Sequence, residues 1–233
     1  MNAPIALVTG AGRGIGRAIA LRLSQEGYAV ALAARSAHEL ERLAREIEAA
    51  GGRALALVMD VADLRSVEEG LHRLLEWSGG VLDVLVNNAG VFDIVEFPDL
   101  SPATWYRTLA INLNGPFHVT LLGWKGLERA ERPHVVNIAS VAAKQPFPAN
   151  VAYGTTKYGL RGFSDTLRLD IQAIGGRVST IYPGGTDTPI WDSIPGEWDR
   201  ASMNRPEDVA EVVWQAVSAG PEEDVDDLDV PAP

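Results

Sequence analysis

Short apolar runs alternate with helical patterns from one end of this chain to the other, and few folds tolerate that alternation. The runs are Ile5–Val8, Tyr28–Ala34, Ala54–Val58, Leu82–Val86, Val135–Ala139 and Val178–Tyr182. Ile5–Val8 is continuously apolar, the pattern of a strand buried on both faces. Between them lie helical stretches. The first carries Ile15, Ala18, Ile19, Leu21 and Leu23 and closes at Gly27. Glu39–Ala50 ends at Gly51-Gly52, and Leu64–Trp77 stops at Ser78-Gly79-Gly80. A long helix follows Ser101-Pro102, a serine cap with proline at the first helical position, and carries Gly115-Pro116 in its middle. Val151–Ile174 is a second long helix, and the last runs from Arg205-Pro206 to Ala219. Strand–helix alternation of this kind predicts an α/β fold: a parallel sheet, helices on both faces, right-handed crossovers. No repeat or linker interrupts it, so residues 1–233 read as a single domain.

Charge and composition remove several function classes. The net charge is −11 with no basic cluster, so nucleic acid and anionic membrane are poor partners. There is no cysteine, which excludes thiolate chemistry and disulfides. His38, His72, His118 and His134 are scattered without ligand spacing, so no metal site is expected. No apolar run approaches a membrane span, and Ile5–Val8 begins too soon for a charged leader. A soluble, cytoplasmic protein is the expectation.

Thr9-Gly10-Ala11-Gly12-Arg13-Gly14-Ile15-Gly16 joins the first strand to the first helix. Glycine-rich turns are common and often only tight turns. Here the strand–turn–helix context favours a phosphate cradle, where backbone approaches a pyrophosphate and the helix N-terminus offers free N–H groups. Far along the chain, Tyr153 and Lys157 are four apart on a predicted helix and so share a face. Alone that pair means little, since both residues decorate solvated helices.

Together these stretches resemble a known family. The spacing Gly-x-x-x-Gly-x-Gly, Asn87-Asn88-Ala89-Gly90, Ser140 thirteen residues before Tyr153, the Tyr153–Lys157 pair and Pro183-Gly184 occur in the order found in the short-chain dehydrogenase/reductase superfamily, in its short single-domain branch. The resemblance covers about residues 5 to 220. It implies a Rossmann-type doubly wound parallel sheet of about seven strands in the order 3-2-1-4-5-6-7. It also implies NADP(H) bound at Gly10, Arg13, Gly14, Ile15 and Gly16. Asp60 and Val61 would contact adenine, and Asn87, Ala89 and Gly90 would line the nucleotide cleft. Tyr153 and Lys157 would hold the nicotinamide ribose, and Pro183, Gly184, Thr186 and Thr188 the carboxamide end. NAD-binding members carry an acidic residue at the end of the second strand. This chain has Ala33-Ala34-Arg35-Ser36 there. Arg35, with Arg13, can instead fork onto a 2′-phosphate, which favours NADP.

The implied catalytic set is Asn112, Ser140, Tyr153 and Lys157, acting on a small-molecule carbonyl (ketone, aldehyde or 3-oxoacyl) or its alcohol. A free tyrosine has a pKa near 10. An ammonium about 4 Å away, at an effective dielectric near 20, is worth ~4 kcal/mol, roughly three pKa units toward the phenolate. Ser140 would steady the substrate oxygen. Pro116 lacks an N–H and leaves the Asn112 carbonyl unpaired in a helix, able to hold a relay water. Val91-Phe92, Val141, Gln145-Pro146-Phe147, Asn150 and a short lid at about 186–205 would wall the substrate. Whether Trp191 and Trp198 touch substrate or pack the lid stays open. The alternative is a non-catalytic NADP(H)-binding sensor or scaffold, which the complete catalytic set disfavours. A homodimer or homotetramer is expected, paired across helices 103–127 and 151–174. The tail carries Val225, Leu228 and Val230 among aspartates. It predicts a seventh strand centred on Leu228–Val230, parallel to the sixth, with its aspartates in solvent.

Overall fold

The computed structural model describes residues 3–233. Seven parallel strands form one sheet: β1 (Ile5–Thr9), β2 (Ala29–Ala34), β3 (Arg53–Val58), β4 (Val84–Asn87), β5 (His134–Ile138), β6 (Arg177–Tyr182) and β7 (Asp227–Asp229). Their order is β3-β2-β1-β4-β5-β6-β7. Val8 of β1 pairs with Leu32 on one side and Val86 on the other. The chain reverses winding direction beside β1, which opens a crevice at the carboxyl ends of β1 and β4.

Alternation along β1 feeds two cores. Ala6 and Val8 point to a layer built by α1 (Gly14–Gln25), α2 (Ala37–Ala49) and α7 (Pro206–Ser218). Ile5 and Leu7 point to the layer of α3 (Leu64–Ser78), α5 (Gly115–Leu127) and α6 (Val151–Gln172). Both faces are covered, so β1 and β2 are apolar at nearly every residue rather than every second one. Side chains cap the starts of α2 (Ser36), α3 (Asp63) and α4 (Pro102–Leu109; Ser101).

One expectation changes. The helix predicted through Gly115-Pro116 is broken into α4, a π turn over Ala110–Asn114, and α5. Within it Gly115 N–H reaches back five residues to the Ala110 carbonyl. Proline at 116 offers no N–H to the Asn112 carbonyl, and the helix widens there into a π turn. β7 forms as expected, with Leu228 beside Ile181. Its aspartates Asp227 and Asp229 are exposed, as expected, and each also meets a side chain. The Tyr182 hydroxyl donates to Asp227, and Lys144 Nζ donates to Asp229 at 2.6 Å. Val230 is buried on the opposite face.

Candidate active site

A cleft of about 960 Å³ runs along the carboxyl edge of the sheet. Its first wall is the glycine loop. Gly10 and Gly14 have φ of +65° and +55°, a region that side chains resist. A Cβ on Gly16 would lie 2.3 Å from the Gly10 carbonyl oxygen, and one on Gly10 would lie 2.9 Å from Ala89 Cα. The loop therefore exposes bare backbone. Arg13 stands at the N-cap of α1 without capping it by its side chain, unlike the caps of α2 and α3. The first N–H groups of α1 are left for a ligand at the positive end of the helix dipole, and an anion fits there.

The loop is tied to β4 by Thr9 and Asn88. Thr9 Oγ1 accepts from the Asn88 and Ala89 N–H groups at 2.9 and 3.0 Å. Asn88 Nδ2 donates to the Thr9 carbonyl at 2.8 Å. These bonds carry Ala89 and Gly90 into the cleft. The sequence reading gave neither Thr9 nor Asn88 a role. Asn87 was expected to line the cleft, and it does not. On β4 it has the parity of Leu85, so its side chain enters the α5 layer and donates to Thr120 Oγ1 and Asn137 Oδ1 at 3.1 and 2.9 Å.

Arg13, Ile15, Arg35, Asp60 and Val61 meet at one end of the cleft. Both arginines are exposed, and neither forms an ion pair among the described residues. Glu39 joins them, its carboxylate 2.7 Å from where a Gly12 Cβ would stand. Sequence reasoning missed it. The signal was a serine followed three residues later by glutamate, and Ser36 Oγ does accept from the Glu39 N–H at 3.4 Å.

Pro183, Gly184, Thr186 and Thr188 line the other end. Thr186 Oγ1 donates to the Gly184 carbonyl, and Thr188 Oγ1 caps Ile190 N–H at 3.4 Å. Thr188 Cγ2 lies 3.1 Å from the Cβ position of Gly14, so the lid base closes on the phosphate loop.

Between these ends sit Ser140, Tyr153 and Lys157. Ser140 follows β5 in extended backbone and accepts from Ala142 N–H at 3.1 Å. Tyr153 and Lys157 lie one turn apart at the start of α6, as their spacing requires. Burial works against the expected shift of Tyr153 toward the phenolate. Lys157 Nζ donates to the Ile138 carbonyl at 2.8 Å and stands 5.5 Å from the Tyr153 ring centroid. Burial pushes the Lys157 pKa down to about 8. Burial pushes the Tyr153 phenol up, and the Ser140 hydroxyl pulls it back in part. Tyr153 therefore stands as a protonated acid at neutral pH. Asn112 is buried beside the set, outside the cleft lining. Its Oδ1 accepts from Val91 N–H and its Nδ2 donates to the Val91 carbonyl, both at 2.8 Å. It also donates to Thr156 Oγ1 of α6 at 3.3 Å. It thus braces the loop after β4 against α6.

Aromatic rings continue from Tyr153. Phe92 packs edge-on at 4.7 Å, Trp191 follows at 5.4 Å, and Trp198 packs on Trp191 at 4.8 Å. Both tryptophans pack the lid and also line the cleft. Arg200 staples the lid to Asp187, Asp192 and the Thr188 carbonyl.

Residues 4–197 match the family described as short chain dehydrogenase. The chain belongs to that family. Sepiapterin reductase of Chlorobaculum tepidum is 35% identical over 219 residues, covering 91% of this chain and 89% of the relative. An alcohol dehydrogenase from the archaeon Thermococcus sibiricus, solved with 5-hydroxy-NADP, superposes with TM-score 0.91 at 29% identity over 99% of this chain and 97% of its own. A single-site variant of actinorhodin polyketide ketoreductase, solved with NADPH, superposes with TM-score 0.89 at 31% identity, over 99% of this chain and 96% of its own. The chain is thus a short-chain dehydrogenase/reductase-type oxidoreductase. No helix among the described residues is long and apolar enough to cross a membrane.

Proposed function

We propose that this protein is an NADP(H)-dependent oxidoreductase that interconverts a carbonyl and its alcohol, with Tyr153 as acid and base. The observation that carries the reading is the meeting of Ser140, Tyr153 and Lys157 in one cleft with the uncapped start of α1. The fit to a dinucleotide rests on the bare glycine loop and on the two arginines at its far end that pair with no described carboxylate. Arg13 and Arg35 would hold a 2′-phosphate by charge-assisted hydrogen bonds. Gly10, Gly14 and Gly16 would face the pyrophosphate, Asp60 and Val61 the adenine, and Thr186 and Thr188 the carboxamide. The NADP-bound relatives support that assignment.

When bound, the nicotinamide supplies or accepts the hydride at the carbonyl carbon. Ser140 holds the substrate oxygen by its hydroxyl. Tyr153 delivers a proton to that oxygen as charge develops on it, and takes it back in the reverse direction. Lys157, partly deprotonated near pH 8, is suited to refill Tyr153. Asn112 keeps Val91 and α6 in register so that this set stays aligned.

Phe117 and Leu121 on α5 and Tyr158 and Leu169 on α6 are exposed apolar side chains. They support pairing of two or four copies across these helices, beyond what isolated surface residues need. The activity is tested by incubating the protein with NADPH and a panel of aldehydes, ketones and 3-oxoacyl thioesters. Loss of NADPH absorbance with at least one carbonyl is expected. Binding of NADPH with no oxidation across the panel would favour a sensor or scaffold instead.

A further inference from the structure

Charge is divided unevenly along the cleft. Its cationic lining residues are Arg13, Arg35 and Lys157. The two arginines stand at the phosphate end, where Glu39 and Asp60 line the cleft beside them, and Lys157 is 6% exposed and held on the Ile138 carbonyl. At the substrate end the charged lining residue is Glu96, and Asp99 is three residues on in the chain. Glu197 and Asp199 flank Trp198, which itself lines the cleft. All four are exposed, and none forms an ion pair among the described residues. The basic groups near these walls are already engaged. Arg107 binds Asp93, Arg200 binds Asp187 and Asp192, and Lys144 binds Asp229.

The inner surface between those carboxylates is aromatic. Phe92, Trp191 and Trp198 form a continuous ladder from the Tyr153 phenol outwards, and Phe147, 42% exposed, lines the other side. Ring faces and edges of this kind favour a flat apolar body. Unpaired carboxylates at a mouth repel an anion and raise no barrier to a neutral or cationic molecule.

We propose that the substrate end admits a flat, largely apolar ketone or aldehyde that bears no negative charge, and disfavours carboxylates and anionic thioesters. The inference rests on the activity proposed above, and it narrows that activity to one chemical class. A 3-oxoacyl group on an acidic carrier is the reading it removes.

The test uses the intact protein with NADP+, so that binding is read without turnover. Methyl benzoylformate, benzoylformate and acetoacetyl-coenzyme A are titrated while tryptophan emission is followed. The ester and acid share a flat aryl ketone and differ in charge. The ester is expected to half-saturate the quench at roughly tenfold lower concentration than the acid, the order of effect that a few unpaired carboxylates exert on an anion through water. In about 0.5 M salt the gap should shrink, because salt screens exposed charges. The double variant Glu96→Gln/Glu197→Gln should close the gap at low salt by improving the acid, and Trp198→Ala should weaken the ester several-fold. Equal or tighter binding of the acid or the thioester would overturn the inference, as would the lack of a saturable quench with any of the three. A second arm replaces NADP+ by NADPH and reads its oxidation. Ester binding without oxidation of NADPH would leave the substrate class standing and count against the activity. Oxidation of NADPH by the acid as readily as by the ester would do the reverse.

Discussion

The two ends of the cleft are made of different material. At the phosphate end the contact surface is backbone: glycines with positive φ, and the unsatisfied N–H groups of α1. At the substrate end it is side chain: Phe92 after β4, Phe147 after β5, and Trp191 and Trp198 on the lid after β6. A backbone surface fits one shape of ligand and leaves its constraint in the sequence as glycines at fixed spacing. A side-chain surface assembled from three distant loops leaves no spacing to read. One end can therefore be assigned to a cofactor class from the chain alone, while at the other the chain offers wall residues and folding shows how their rings pack.

The largest effect should come where the two ends meet. Tyr153→Phe removes the proton donor and leaves the glycine loop untouched. It is expected to lower kcat about 10³-fold, within the range for general acids, with little change in NADPH affinity. Steady-state rates beside a fluorescence titration would show the split, and loss of both together would place Tyr153 in binding alone.

Gly16→Ala attacks the backbone end. The new Cβ would meet the Gly10 carbonyl oxygen at 2.3 Å and Asn88 Nδ2 at 2.4 Å. Neither can yield without opening the loop, so a cost of about 3 kcal/mol in stability is expected, with loss of NADPH binding. Thermal melting and titration read both, and an unchanged affinity would mean that the loop does not cradle the dinucleotide.

Lys157→Met separates stability from function. Burial lowers the Lys157 pKa from 10.5 to about 8. The folded chain thus gives up its proton at a pH where the unfolded chain still holds one. Stability from this group rises as pH climbs from about 8 towards 10.5, and below 8 the buried ammonium costs about 3 kcal/mol. Methionine removes that cost and leaves the Ile138 carbonyl without its partner, a loss of ~1–2 kcal/mol. The cofactor-free variant should melt a few degrees above the wild type at pH 7. That advantage should shrink by pH 10, while turnover and NADPH binding both suffer. A variant less stable at pH 7 would contradict the assigned cost.

The smallest effect concerns the arginines. Arg35→Ala should weaken NADPH roughly tenfold, about the worth of one charge-assisted contact at an exposed site, and leave NADH nearly unchanged. Equal loss for both cofactors would point to Glu39 and a ribose contact instead.

How much was legible follows the same division. Strand–helix alternation sufficed for the architecture, because parallel neighbours need helical crossovers and those helices cover both faces of the sheet. The Tyr153–Lys157 juxtaposition followed from helical spacing. Asn87 was misplaced because its motif was read as a unit. The period of β4 sends residue 87 to the α5 layer and leaves Asn88 to hold the loop. The expected shift of Tyr153 toward the phenolate left out burial, which disfavours the charged form of Tyr153 and of Lys157, and Lys157 takes the Ile138 carbonyl as its partner. The π turn at Ala110–Asn114 was foreshadowed by Pro116, but a missing hydrogen bond does not say whether a helix kinks or widens.

The central claim is that this cleft moves a hydride between its two ends. It is tested most directly with NADPH deuterated at the transferable C4 position and methyl benzoylformate as acceptor, the product being examined by mass spectrometry. The account predicts deuterium on the new carbinol carbon, formed by the wild type and lost in Tyr153→Phe. Saturable binding of both molecules to the wild type with no deuterium in the ester product would contradict it.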